Sequence, residues 1–184
     1  MEVLLVESWN QISGCIVSMK WWRAALFETE REDRLFVVLA SLVFSFALLV
    51  SIWEFVAVQG MVFRLNVFSA AGLVLFVVGV SIRLVGKRTL GKYYSYGLRV
   101  LPDHKLVTGG IYKYVRHPIS LAVLVYDPGI PLIFSSLYGF LITLALIPLV
   151  LYRITIEERM LLQRFGDEYR EYMRRTKKLI PFIY

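Results

Sequence analysis

Two stretches of the chain gather the residue types that do chemistry. Gly109-Gly110-Ile111-Tyr112-Lys113-Tyr114-Val115-Arg116-His117-Pro118 stops at the threshold of a long apolar run. Arg153-Ile154-Thr155-Ile156-Glu157-Glu158 begins where that run ends. Charges at such edges are expensive to bury unless they are paired or functional. Arg153 and Glu157 stand four residues apart, on one helical face. Alone, such a pair is a surface contact worth ~0.3 kcal/mol, in the order less favoured by the helix dipole. Opposite Arg116-His117, across a membrane hairpin, it becomes half of a charged pocket at an apolar boundary.

Other chemistries lack their residues. Zinc needs three or four ligands; the chain has one cysteine, Cys15, two histidines, His104 and His117, and no HExxH, so no metal is expected. No GxGxxG follows a strand and no GxxxxGK[ST] occurs, which removes the common nucleotide cradles. The basic run from Lys87-Arg88 to Lys92 reads equally well as a contact for anionic lipid headgroups.

The elements that must position these residues are membrane spans. Of 184 residues, 58% are hydrophobic, with a mean hydropathy of +0.62; soluble domains sit at roughly 45–50%. A single cysteine leaves no internal disulfide framework. Glu2 and Glu7 stand where a secretory signal would be basic. Leu35 to Val58 holds 24 residues with Glu54 as its only charge, enough to cross a core of about 30 Å at about 1.5 Å per residue. Leu65 to Ile82 is a second run, bounded by Arg64 and Arg83, with Gly72 and Gly79 available for close helix contact. A turn around Gln59-Gly60 joins the two.

Ile119 to Tyr152 holds 34 residues with one charge, Asp127, inside the breaker run Asp127-Pro128-Gly129-Ile130-Pro131. It reads either as a lone span over Gly129–Tyr152 or as a tight hairpin turning near Phe134–Gly139. Charge arithmetic decides. Residues 1–34 carry four Lys/Arg, residues 83–117 eight and residues 153–184 eight, against Arg64 alone after the first span. An even number of spans places 20 of the 21 on one face, as the positive-inside rule requires. The sequence therefore predicts four spans with both termini cytoplasmic, the hairpin halves being short at about 17 residues each. Pro148 is expected to kink the last span, and Pro128 and Pro131 to kink or interrupt the third. The net charge of +7 is then positive-inside bias, and no nucleic-acid partner is expected.

Residues 1–33 interleave Trp9, Trp21, Trp22 and Phe27 with Lys20, Arg23 and Glu28, the pattern of a helix lying in the headgroup layer. Glu157 to Lys178 reads as helical, broken at Gly166 and restarted at Asp167, ahead of the apolar anchor Leu179-Ile180-Pro181-Phe182-Ile183. The expected fold is all-α, a single membrane domain over residues 1–184. It divides into an interfacial segment (1–33), a two-span hairpin (34–85) and a region carrying the second hairpin and the chemistry (86–184).

Four motifs stand in order: His104-Lys105-Leu106-Val107-Thr108-x-Gly110-x-Tyr112, Arg116-His117-Pro118, Arg153-x-x-x-Glu157-Glu158, and Phe165-Gly166-Asp167-Glu168-Tyr169-x-x-Tyr172. Together they resemble the isoprenylcysteine carboxyl methyltransferase family of integral membrane enzymes, itself similar to membrane phospholipid methyltransferases. The resemblance implies S-adenosylmethionine as cofactor, held at the cytoplasmic membrane face in a pocket unlike that of the soluble Rossmann enzymes. It implies cofactor contacts from His104, Lys105, Leu106 and Val107, from Tyr112, and from His117, Pro118, Ile119 and Ser120. It further implies that Glu157 contacts the cofactor and that Arg153 faces the carboxylate of a lipophilic or prenylated acceptor arriving from the bilayer. A carboxylic acid with a pKa of about 4 is already ionised at neutral pH and needs no base. It needs a cation to orient it, which suits the planar fork of Arg153; Glu157 then suits the cofactor's ammonium.

Ser120 stands where the family usually has an aromatic residue, and Ala122 where a glycine commonly follows. Asp127 reads either as a functional group at membrane depth or as part of a helix-breaking turn. Two other functions remain open on these residues. A phospholipid or small-amine acceptor would need a base such as His117 or Glu158, and a non-catalytic membrane scaffold would have lost the cofactor.

Overall fold

The computed structural model describes residues 31–63, 65–94 and 105–180. Helix α1 spans Arg31–Val58, its last turn widened to a π-helix over Glu54–Val58. Helices α2 (Val67–Leu90), α3 (Pro118–Ile133), α4 (Leu137–Thr143), α5 (Leu146–Phe165) and α6 (Asp167–Arg175) follow. Among the described residues the only extended pairing is one parallel bridge between Val115 and Lys177. Three helical runs among the described residues are long and apolar enough to cross a membrane: Arg31–Val58, Val67–Tyr93 and Leu137–Phe165, the last made of α4 and α5. At 16 residues α3 is shorter, about 24 Å against a hydrocarbon core of about 30 Å. Leu42, Leu49, Val67 and Phe68 point outward, an arrangement that suits lipid contact and would promote aggregation in water.

Helices α1 and α3 run in one direction, and α2 and α4–α5 return. At one end Gln59 Nε2 donates to the Phe134 carbonyl at 2.9 Å, Asn66 Nδ2 to Ser135 Oγ at 2.8 Å, and Ser136 Oγ to the buried Glu54 carboxylate. At the other end Arg153 meets Asp33 at 3.0 Å and Glu157 meets His117 at 3.4 Å. The chain turns between α3 and α4 at Phe134–Ser136, inside the range expected for a hairpin. That turn brings the two chemistry-bearing stretches together.

Local chemistry sets the boundaries, and three of them differ from the expectation. The second span was expected to stop at Ile82. Instead α2 continues to Leu90, because the Arg83 guanidinium finds a partner, donating to Tyr126 Oη at 3.1 Å. Its start is fixed by a capping box in which Asn66 Oδ1 accepts from Ser69 N at 3.0 Å and Ser69 Oγ accepts from Asn66 N at 2.9 Å. Helix α3 is not interrupted at Pro128 or Pro131; it runs on to Ile133, so Asp127 lies within a helix and not in a breaking turn. Packing against α2 holds this stretch helical, and neighbouring helices commonly let membrane helices keep their prolines. The last span is broken where Pro148 was expected to act: the proline sits third in α5, and the interruption falls at Leu144-Ala145, where its ring meets the carbonyl four residues back. Finally, residues 31–33, expected in the interfacial segment, belong to α1. The remainder of that segment, Cys15 included, and His104 lie outside the described residues.

The seam between α2 and α3 is built from glycine. Gly72, Gly79 and Gly86 recur every seven residues and are all buried, the small-residue spacing that lets two helix backbones touch. A Cβ on Gly72 would lie 2.7 Å from the Gly129 carbonyl oxygen, and one on Gly79 would lie 2.7 Å from the Tyr126 backbone nitrogen. Ala122 faces the same seam, its carbonyl 3.0 Å from a Cβ on Gly79. Gly79→Val is expected to lower stability in detergent by about 1–3 kcal/mol through overpacking against backbone. Gly109→Ala, with open space around it, is the control. Equal melting temperatures for the two variants would contradict the seam.

Candidate active site

The Arg116-His117 pair is placed by backbone before any side chain acts. The tail after α6 lies alongside it: Arg116 N donates to the Lys177 carbonyl at 2.8 Å, His117 N to the Lys178 carbonyl at 3.2 Å, and Lys177 N to the Tyr114 carbonyl at 3.3 Å. Tyr172 Oη, from α6, donates to the Tyr112 carbonyl at 2.7 Å and fixes the preceding 3-10 turn, Gly110–Lys113. Gly110 opens that turn at φ 58°, with Thr89 2.9 Å from where a Cβ would stand. A side chain there is strained in both respects.

Two consecutive glutamates then divide the charges. Glu158 is buried and collects three cations: Arg116 Nε at 3.0 Å, His117 Nε2 at 3.3 Å and Lys178 Nζ at 3.1 Å. Arg116 also donates to the carbonyls of Met173, at 3.1 Å, and Thr176. Glu157 is more open, its side chain 35% exposed, and lies 3.4 Å from His117 Nδ1. Both imidazole nitrogens therefore face carboxylate oxygens, which asks for a donor at each and so for the imidazolium. Burial pulls the His117 pKa down, but the Glu157 and Glu158 carboxylates outweigh it and hold it above the ordinary value.

A cavity of about 470 Å³ opens beside this cluster. Leu106, Val107, Tyr112, His117, Ile119, Ser120, Arg153 and Glu157, all expected at the site, line it. Pro118 is buried beside it against Gly86, and Lys105 is exposed. Arg153 was expected to face an acceptor. Its Nε donates to Asp33 Oδ1 at 3.0 Å, and its guanidinium lies 5.0 Å from the centroid of the Phe36 ring.

Several lining residues were assigned no role from sequence. Tyr169 and Tyr172 line the cavity from α6, and their spacing of three residues was visible in the fourth motif. The Tyr169 hydroxyl is buried without a hydrogen-bond partner among the described residues. Burial pushes its pKa up, with Glu158 and Glu157 adding to the rise, so it stays a proton donor. Burial likewise pushes Tyr172 up to about 12. Phe36, in the second turn of α1, also lines it, and Asp33, in the first turn, joins the site through Arg153; nothing in the sequence set either apart from an ordinary span edge.

The sequence profile of the isoprenylcysteine carboxyl methyltransferase family matches residues 71–163, from α2 through both chemistry-bearing stretches. The chain belongs to this family. A probable protein-S-isoprenylcysteine O-methyltransferase of Oryza sativa subsp. indica is 34% identical over 118 residues, 62% of each chain. Methanethiol S-methyltransferase 1 of Bradyrhizobium diazoefficiens is 32% identical over 103 residues, 50% of this chain and 35% of that one. A solved structure of a eukaryotic intramembrane Ras methyltransferase, an isoprenylcysteine carboxyl methyltransferase, matches with a TM-score of 0.61 at 27% identity, over 82% of this chain and 52% of that one. The match thus spans less than two thirds of the length of each of these relatives.

The His117 pKa lies above the unfolded value of 6.5. Its contribution to stability is therefore complete below about pH 6.5 and is lost as pH rises through the higher folded value. Detergent melts taken across that range are expected to show the loss in wild type and a flat profile in His117→Gln. A wild-type profile as flat as the variant's would contradict the double pairing.

Proposed function

We propose that this protein transfers a methyl group from S-adenosylmethionine to the carboxylate of a lipophilic, isoprenylcysteine-like acceptor at the membrane face. One observation carries the reading: Arg153, Glu157 and the orphaned Tyr169 hydroxyl line a single cavity at the edge of an apolar bundle. The residues fit the cofactor. Glu157 offers a partly exposed carboxylate to an ammonium, Tyr169 a spare buried donor to an acceptor atom, and Leu106, Val107 and Ile119 an apolar wall. When bound, the cofactor supplies an electrophilic methyl on sulfur, taken in line by a carboxylate oxygen. The chain's own part is to orient, to exclude water and to match charge. Arg153 presents a planar fork to the acceptor carboxylate. His117 holds Glu157 in place and is itself unsuited to act as base, since both its ring nitrogens donate to carboxylates. Glu158 is occupied by three cations. An amine or thiol acceptor, which must lose a proton, therefore finds no ready base among these groups.

The same reading extends to topology. We take α3 with α4–α5 as a second membrane hairpin, giving four crossings with both termini on the positively charged, cytoplasmic face. The alternating helix directions and the clustering of Lys and Arg at the site end support it.

Calorimetric titration of the detergent-purified protein with S-adenosylhomocysteine tests the cofactor site. Glu157→Gln is expected to weaken binding by about tenfold or more, the worth of a charge-assisted hydrogen bond. Arg153→Ala is expected to bind within about twofold of wild type while losing transfer to a carboxylate acceptor. A folded wild type that binds nothing, or an Arg153→Ala that loses the cofactor, would overturn these assignments.

A further inference from the structure

Arg153 already has a carboxylate partner within the chain. Its Nε donates to Asp33 Oδ1 at 3.0 Å, and the two side chains are only 19% and 13% exposed. The pair therefore sits in a partly dried wall, where it is worth more than an exposed ion pair. The same short stretch of α1 supplies the rest of the contact. The Phe36 ring lies 5.0 Å from the guanidinium, and Tyr152 Oη donates to Glu32 at 3.1 Å. Phe36 and the α1 residues that follow it, Val37, Ala40 and Ser41, line the cavity itself. One helix thus brings both an apolar wall and an anion to the group expected to receive the acceptor's anion.

Resting on the role given above to Arg153 as the acceptor's anchor, we propose that Asp33 is an internal competitor for the acceptor carboxylate. It holds the guanidinium while the pocket is empty, yields it to the incoming acid, and takes it back from the ester. The charge balance requires this order. The acceptor acid enters as a monoanion, able to replace Asp33 charge for charge. Methyl transfer forms a carbon–oxygen bond at the carboxylate as the methyl carbon's bond to sulfur breaks, with that electron pair staying on sulfur and no proton released. The ester is neutral. Its carbonyl oxygen is a weaker acceptor than a carboxylate, and Asp33 becomes the stronger of the two claimants. Asp33 thereby loosens the hold on the acid to a level set by the exchange, and re-pairing with Arg153 assists product release. A ligand shifts such an exchange only through its differential affinity for the two arrangements, and acid and ester differ in that property by one charge.

Full-length protein in detergent, without cofactor, is titrated with N-acetyl-S-farnesylcysteine and, separately, with its methyl ester. The acid is expected to bind Asp33→Asn about tenfold more tightly than wild type, while the ester changes by less than about threefold. Equal or weaker binding of the acid by Asp33→Asn would overturn the proposal, weaker binding meaning that Asp33 merely positions Arg153. Hydrogen exchange on wild type needs no folded variant: amides near Asp33–Phe36 are expected to exchange faster with the acid bound than with the ester, and identical exchange would also overturn it. Arg153→Gln separates the two readings. If it binds and methylates the acid as wild type does, the assignment of Arg153 to the acceptor fails. If it loses the acid while Asp33→Asn matches wild type, the competitor role of Asp33 alone fails.

Discussion

A carboxylate buried beside the cavity imposes the arrangement of this end of the helix bundle. Glu158 sits within 3.3 Å of Arg116, His117 and Lys178, groups from the stretch before α3 and from the tail beyond α6. A buried charge left unpaired is among the costliest defects a fold can carry, at about 3–5 kcal/mol when a partner is removed. The chain therefore has to bring those segments together. Once they meet, the tail pairs in parallel beside residues 114–117, α6 is drawn under the site, and its tyrosines face the cavity. Glu157 inherits a fixed position because the imidazole bridging to Glu158 also holds it.

The apolar part of the molecule serves this cluster by geometry. Glycines on α2 let α3 lie against it backbone to backbone, which sets where His117 leaves the helix bundle. The polar contacts at the far turn, around Glu54, Ser136 and Gln59, hold the other end of the same hairpin. With both ends fixed, α5 returns Arg153 and Glu157 to the level of His117. Helix α1 closes the remaining side, contributing Phe36 and the Asp33 carboxylate.

Much of this was legible because it follows from chain-local physics. The apolar runs, the hairpin turn near Phe134, the break at Gly166 and the meeting of the Arg116-His117 and Arg153–Glu158 stretches all come from composition, spacing and charge. What was missed depends on tertiary partners. Arg83 extends α2 past the expected edge because Tyr126 receives it, and α3 passes through Pro128 and Pro131 because α2 packs against it. The pairing of Arg153 with Asp33 joins residues 120 apart in sequence, and no periodicity announces such a contact. Tyr169 was present in a motif, yet only the packing reveals that its hydroxyl is buried without a partner among the described residues.

The central claim is that this cavity makes a carboxyl ester. The most direct measurement incubates purified protein with methyl-labelled S-adenosylmethionine and N-acetyl-S-farnesylcysteine, then treats the lipid product with mild base. The account predicts label in the lipid fraction that base releases as volatile methanol. Label that stays bound through base treatment, as on sulfur or nitrogen, or no transfer by a protein that binds the cofactor, would contradict it.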